Sequence, residues 1–475
     1  MPGSESVNPR RSVRETRIRI LLTFAVVVAG WLAFRGIVEA NRQQISHPTR
    51  ALPVAESRAA LKHGFSPQDL VALISQARSE EVTGDGTRIT LALDEELQEH
   101  IFNLFRRFDP PYGVFAAMEP DTGRVVALVG YRKGGEPDPK LALKAVYPAA
   151  SLIKIVTASA ALESGKISPD ESISYRGGIY GISRKGIHAK DGRGVPSMSL
   201  EEAIARSANS VFGKVAVNYV GGEALAGYMT KFGFCQPIPF DLPVEQSTCE
   251  IPRDEYQLAR TGAGFGEVYV SPLHMAMIIS AIASSGEMPQ PILIERIEDK
   301  DGNLLSEAVP SKLRDTVMPE TADAVLRMMV KTIEMGTSRR TFGPSDRSPL
   351  LQDMEVAGKT GSLSGWTPRM HFEWFAGVAP VADPKLAVAA LVVNDSRWKI
   401  KGSYVGKEAF NAYFGYPSTV PPVYAKAKGK ATAHWRKASK KKPVRSKPRA
   451  SRKPRKKTPP HASRLTPSRQ NARTG

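Results

Sequence analysis

The sequence predicts an α+β domain in which the two ends of the folded segment share one sheet. Two strand-like runs, Tyr112–Met118 and Arg124–Tyr131, flank the turn signal Glu119-Pro120-Asp121-Thr122-Gly123 and form a hairpin. Helical periodicity dominates the middle of the chain. Three more strand-like runs, Met354–Gly361, Phe372–Val378 and Leu386–Asn394, come last. Strands at both ends with helices between them imply one sheet packed against helices. With 475 residues and 41% hydrophobic content, the chain can hold two or three domains, or one large domain with appendages.

Residues 1–17 form a basic segment, in which Arg10, Arg11, Arg14 and Arg17 outnumber Glu5 and Glu15. An uncharged run of 15 residues, Ile20–Phe34, follows. It is short for a membrane span, which needs about 20 residues. Extending it to 18–38 lets Arg19 and Arg35 send their charged ends to the headgroups. No small-x-small cleavage site closes the run, so 18–38 is expected to be an uncleaved transmembrane signal anchor, not a removed signal peptide. The arginines ahead of it place the N-terminus in the cytoplasm and the rest outside. Residues 39–86 read as a juxtamembrane stub. Within it Ser66-Pro67-Gln68-Asp69 starts a helix with an apolar stripe at Leu70, Leu73 and Ile74, and 83–86 turns into a strand at 87–92.

After the first hairpin, Ser151 opens a helix with Ile153, Val156, Ala160 and Leu162 roughly on one face, ended by Gly165. Residues 199–219 are helical with an interruption near Ser207-Ala208-Asn209. Thr261–Gly266 reads as a tight loop, because its glycines do not follow a strand as a dinucleotide fingerprint would. Leu273–Ala283 and Pro319–Gly336 are helices. From about Tyr413 the pattern breaks, and 416–475 is a Lys/Arg/Pro-rich tail with the composition of a disordered segment. The tail explains the net charge of +19: residues 421–475 hold 19 of the 66 basic residues and no acidic one, leaving 47 basic against 47 acidic elsewhere. The folded part is neutral on balance, which argues against a nucleic-acid-binding core. The tail has three readings: simply solvated, attracted to an anionic envelope polymer or lipid surface, or bound to nucleic acid, which fits the charge but is rarely met outside the membrane. Cys235 and Cys249 are too few for a four-ligand zinc site. A local disulfide and two unpaired thiols both stay open.

Chemistry enters at Ser151-Leu152-Ile153-Lys154. Ser151 lies near a helix N-terminus and Lys154 one turn on, so the amine can reach the hydroxyl. A serine becomes a nucleophile when a base takes its proton. A lysine is that base once apolar surroundings lower its pKa. The tetrad alone is weak, since Ser396–Lys399 and Ser439–Lys442 match it, just as Ser6-Val7-Asn8 matches the second motif. The force comes from order: Ser151–Lys154, then Ser207-Ala208-Asn209, then Lys359-Thr360-Gly361, the only Lys-Thr-Gly in the chain. The three together mark serine enzymes that open β-lactams or penicillin-like peptides.

On these motifs the chain resembles the transpeptidase domain of the penicillin-binding proteins, in a monofunctional, membrane-anchored form. Thr87–Gln98, Glu119–Gly130, Gly264-Phe265-Gly266 with Val270–Ala276, and Trp374–Pro380 are also similar to family segments, so the resemblance spans 87–415. It implies the penicillin-binding transpeptidase and serine β-lactamase-like fold: an antiparallel sheet flanked by helices, plus an all-helical subdomain. It implies no metal and no cofactor. The expected substrates are peptidoglycan stem peptides ending in D-Ala-D-Ala, with β-lactams as mimics. The resemblance implies that Ser151 attacks the carbonyl of the penultimate D-alanine and Lys154 accepts its proton. Ser207 would relay a proton to the departing D-alanine and Asn209 would hold the substrate amide. Lys359 would supply positive charge, Thr360 and Ser362 would bind the carboxylate, and Gly361 would leave the strand face bare for the peptide. The backbone N–H groups of Ser151 and Ser362 would form the oxyanion hole, one such donor being worth about 3 kcal/mol.

A D,D-carboxypeptidase or β-lactam hydrolase on the same fold would differ only in using water as acceptor. A non-catalytic penicillin sensor or scaffold would lack a member of the set, and none is missing. The middle motif is Ser-Ala-Asn, not the Ser-Asp-Asn of class A β-lactamases, and no deacylating glutamate is assignable, which favours a transpeptidase. The stretch before residue 87 is expected to hold neither a glycosyltransferase domain nor a large N-terminal pedestal.

Overall fold

The computed structural model describes residues 64–419, apart from 189, 191, 343–348 and 367–368. The expected anchor at 18–38 and residues 420–475 of the tail lie outside the described residues. Among those described, no helix is long and apolar enough to cross a membrane.

In chain order, the elements that build and position the site are α1 (Pro67–Ser75), β1 (Glu80–Val82), β2 (Arg88–Leu91), α2 (Glu95–Phe108), β3 (Tyr112–Met118), β4 (Val125–Arg132), α3 (Lys154–Glu163), α4 (Leu200–Arg206), α5 (Asn209–Val215), α6 (Glu255–Ala263), α7 (Pro272–Ala283), β5 (Ile294–Glu298), β6 (Leu304–Glu307), α8 (Pro319–Glu334), β7 (Ala357–Trp366), β8 (Arg369–Ala379), β9 (Leu386–Asn394) and α9 (Gly402–Tyr413). The main sheet has the order β7-β8-β9-β3-β4, with every pair antiparallel. The early hairpin and the late strands therefore meet where β9 pairs with β3. β9 is buried along its whole length, which is why it reads as an unbroken apolar run rather than an alternating one. α2 and α9 pack together on this sheet, and α7 packs on β3, β8 and β9. α7 is apolar nearly all round because it is buried nearly all round.

Several expectations shift. The stub does not end at residue 86: α1 sends Leu70, Leu73 and Ile74 into the core with Phe65, and β1 pairs with β2. The domain thus begins by residue 64. The helix start at Ser66 is as expected, with Ser66 and Asp69 forming a reciprocal capping box. β1, β2, β5 and β6 form a second, four-stranded sheet that hydrophobic patterning did not announce. α2 carries the stripe Leu97, Ile101, Leu104 and Phe105 and is capped by Asp94. Its buried Gln98 donates to the carbonyls of Ile74 and Leu128 and accepts from the Leu128 N–H. One side chain so completes the edge strand β4 and ties it to α1.

The strand expected at Met354–Gly361 runs instead over Ala357–Trp366. Thr261-Gly262-Ala263, expected in a loop, form the last turn of α6, which Gly264 ends in the left-handed region (φ 100°). The tail does not begin at 416. The Tyr416 hydroxyl bonds Asp353 at 2.8 Å, and Ser418 and Thr419 bond the buried Glu408 of α9. Cys235 and Cys249 form a disulfide, with Cα atoms 5.7 Å apart.

Candidate active site

Ser151 sits in a short 3-10 turn, Ala150–Ile153, that runs directly into α3. The residue before it, Ala150, is held at φ +48°, a conformation that costs an alanine energy and persists only when its surroundings enforce it. Two neighbours do the enforcing. Trp374 of β8, fully buried, donates its indole N–H to the Pro148 carbonyl at 2.9 Å. Gly264 packs its backbone on the Ala150–Ser151 peptide so closely that a Cβ there would lie 2.4 Å from the Ala150 oxygen. The sheet and α6 together thus set the nucleophile's turn.

Ser207 is the second strained residue, at φ +55°. It ends α4, whose last turn closes through Ser207 N–H to Ile204 and Ala208 N–H to Ala203. α5 then restarts at Asn209. This break, legible as a helical interruption, turns the side chains of Ser207 and Asn209 towards one point. Lys359 reaches the same point from β7, the edge strand of the main sheet.

The expected residues converge. Lys154 Nζ lies 2.8 Å from Ser151 Oγ, 2.7 Å from Asn209 Oδ1 and 3.3 Å from Ser207 Oγ. Lys359 Nζ donates to Ser207 Oγ and to the Thr360 carbonyl, both at 2.9 Å. Both lysines are fully buried. Burial, then the charge of Lys359, holds the Lys154 amine well below the usual lysine range. Burial alone brings Lys359 down to about 7. Two buried amines sharing one serine cannot both be charged cheaply. A neutral Lys154 has two N–H bonds for Asn209 and Ser207, and its lone pair is left for the Ser151 proton. Ser207 receives both amines on its oxygen, so its own proton is free to be given away.

Asn209 is engaged at both ends: Oδ1 takes Lys154, and Nδ2 donates to the Tyr180 carbonyl at 3.1 Å. Both ends of its amide are thus held inside the protein. Thr360 Oγ1 lies 2.5 Å from Thr337 Oγ1, beyond the end of α8, a partner for which the sequence offered no signal. Ser362 is exposed beside them. Gly361 lies against the turn that carries Ser151. A Cβ there would meet Trp374 Cβ at 3.2 Å, Leu152 Cγ at 3.3 Å and Ala150 Cβ at 3.4 Å. The missing side chain makes room for the nucleophile's own turn, and an added peptide strand would find its opening at the unpaired edge of β7.

A serine hydroxyl within reach of a buried lysine amine, with a second serine beside that amine, is the arrangement serine acyl transfer needs, here on an α+β fold. Residues 113–415 match the penicillin binding protein transpeptidase domain, and the chain belongs to that family. It is 28% identical over 320 residues to the peptidoglycan D,D-transpeptidase PbpA of Mycobacterium tuberculosis, covering 60% of this chain and 63% of that one. It is 25% identical over 356 residues to the penicillin-binding protein PbpB of Mycolicibacterium smegmatis, covering 68% and 53%. The chain thus spans less than two thirds of the length of these curated relatives. Among solved structures, the imipenem acyl-enzyme of penicillin-binding protein A from M. tuberculosis superposes with a TM-score of 0.57 at 24% identity, over 69% of this chain and 80% of that one. The D,D-transpeptidase domain of a peptidoglycan glycosyltransferase from Eggerthella lenta gives 0.58 at 24%, over 70% and 83%. These establish a shared fold.

Proposed function

We propose that this protein is a peptidoglycan D,D-transpeptidase that works through an acyl-enzyme on Ser151 and is inhibited by β-lactams. The observation that carries the proposal is the fully buried Lys154 amine, its pKa depressed, 2.8 Å from the Ser151 oxygen. Lys154 takes the Ser151 proton as Oγ bonds to the penultimate D-alanine carbonyl carbon. The C–N bond to the terminal D-alanine then breaks, and the leaving nitrogen takes a proton through Ser207. In the second half the amine of another stem peptide attacks the ester, loses a proton to the same lysine–serine pair and restores Ser151. Lys359, Thr360 and Ser362 receive the substrate carboxylate, and the Ser151 and Ser362 N–H groups hold the oxyanion. The relatives' names support this chemistry.

The protein is anchored by residues 18–38 with its catalytic domain outside the plasma membrane, and the basic tail contacts anionic envelope polymers. The disulfide supports an oxidising compartment. The test is mass spectrometry of the full-length protein with penicillin G, and with a D-Ala-D-Ala pentapeptide with and without an amine acceptor. An adduct on Ser151 and a cross-linked product are expected. An adduct that survives Ser151→Ala refutes the site, and product formed with water alone, even with acceptor present, refutes the transpeptidase assignment. Loss of residues 420–475 should weaken wall association at low salt, and unchanged association refutes the role of the tail.

A further inference from the structure

One buried acid next to the cleft has no part in the chemistry above. Glu373 of β8 stands directly across from Ser362 of β7 in the strand register. Glu373 is 7% exposed whereas Ser362 is exposed. Directly paired residues of antiparallel strands lie side by side on one face, with Cβ atoms about 4.5–5.5 Å apart, so the Ser362 hydroxyl is within reach of the Glu373 carboxyl and pulls its pKa down. The start of α9 closes the other side: a Cβ on Gly402 would lie 2.6 Å from the Glu373 carbonyl oxygen, so helix and strand are in backbone contact.

This geometry bears on the direction of one proton. Ser362 has a single O–H. If Glu373 is ionised, that proton points inward to the carboxylate, and only lone pairs face an incoming substrate carboxylate. Such a contact is repulsive, and a second negative charge stands behind it. If Glu373 is protonated, its O–H can donate to Ser362 Oγ, and the Ser362 proton turns outward as the charge-assisted donor a carboxylate needs.

We propose that Glu373 is a positioning residue for carboxylate recognition: in its protonated form it donates to Ser362 and so turns the Ser362 hydroxyl towards the carboxylate of stem peptides and β-lactams. Burial raises Glu373 to about 7, against the opposing pull of Ser362 and Lys401, so both forms are accessible near neutrality. Lys401 at the start of α9 is the cation that favours the ionised form. β9 faces Glu373 with Val392. β7 carries Lys359, whose amine is turned to Ser207. His371 lies along β8, held by Ser364. α9 also carries Lys407 and Glu408, the latter occupied by Ser418 and Thr419. A bound carboxylate adds negative charge beside Ser362, so ligand binding and protonation of Glu373 favour each other.

The proposal rests on Ser362 being part of the carboxylate site. The test is the second-order acylation rate of the full-length protein across pH 5.5–9 with penicillin G and with its methyl ester, which lacks the carboxylate. Glu373→Gln keeps a permanent donor behind Ser362. The ratio of wild-type to E373Q rates for penicillin G should be flat below about pH 6 and fall about tenfold by about pH 8.5; taking the ratio removes any limb due to Lys154 or Lys359. Glu373→Ala should slow penicillin G by about tenfold at pH 6 and leave the ester unchanged. A ratio flat throughout, or equal slowing of acid and ester in E373A, overturns the proposal. If E373Q does not fold, the wild-type ratio of penicillin G to ester rates should still fall about tenfold between about pH 6 and about pH 8.5, and Ser362→Ala should remove that fall; a ratio independent of pH, or a fall that persists in S362A, is refutation. Failure of the wild-type protein to acylate at all would instead overturn the acyl-enzyme proposal itself, a result distinct from acylation that ignores Glu373.

Discussion

Gly264→Ala tests whether the nucleophile's turn is held by backbone packing from α6. An added Cβ would lie 2.4 Å from the Ala150 oxygen, 2.5 Å from the Ala150 carbonyl carbon and 2.8 Å from the Ser151 nitrogen. All three are backbone atoms, so no flexible side chain can yield. The φ of +100° adds the strain of a non-glycine in a left-handed conformation, about 1–2 kcal/mol, and overpacking adds about 1–3 kcal/mol. A stability loss of about 2–5 kcal/mol follows. Restoring van der Waals contact requires the Ala150–Ser151 peptide to move by about 1 Å. A displacement of that size at a reacting group costs about 100-fold in rate. Gly165→Ala is the control: its φ is +65°, but nothing lies within 4 Å of its Cβ position, so it should lose about 1 kcal/mol and keep its acylation rate. Stopped-flow acylation by a fluorescent penicillin, with melting curves on the same samples, separates the two effects. If G264A melts as a folded protein and acylates within about threefold of wild type, well short of the 100-fold slowing, the turn is not positioned in this way.

Two further outcomes follow from burial and topology. Lys359→Met should abolish most acylation, by about 100-fold, while raising the melting temperature, because an apolar side chain replaces a desolvated amine for a net gain of about 1–3 kcal/mol. The sign follows from linkage: the folded-state pKa of Lys359 is lowered from 10.5 to about 7, so between those values the unfolded chain holds a proton the folded one lacks. Wild-type stability should therefore climb as pH rises from about 7 towards 10.5, Lys154 adding to the same slope because its pKa is lowered too, and K359M should lessen that slope without removing it; an unchanged slope in urea titrations refutes the assignment. Replacing Cys235 and Cys249 by alanine removes a crosslink spanning 14 residues and should lower stability by about 3 kcal/mol without changing the acylation rate, and a slowed rate would tie that loop to the site.

What was legible from residues is uneven for physical reasons. The early hairpin, the late strands and the interruption at Ser207 appear in local patterns, because turn chemistry and periodicity act over a few residues. The buried faces of α2 and α9 are local patterns of the same kind. The second sheet is not local, since Glu80–Val82 and Leu304–Glu307 are short and largely exposed and become strands through pairing with β2 and β5. Thr337 and Glu373 stand beside Thr360 and Ser362 solely because the chain folds back, at separations no motif records.

The order of Ser151, Lys154, Ser207, Asn209 and Lys359 along the chain was enough to name a chemistry, because hydroxyls and amines carry their reactivity in their covalent structure. It was also enough to put helices between two sets of strands. Whether those groups could react was decided in three dimensions. Only the folded core strips water from Lys154 and Lys359, and only the packing of Gly264, Gly361 and Trp374 against Ala150 sets the angle of the Ser151 turn. Desolvation and steric contact are collective properties of packed neighbours, and a linear string of residues does not contain them.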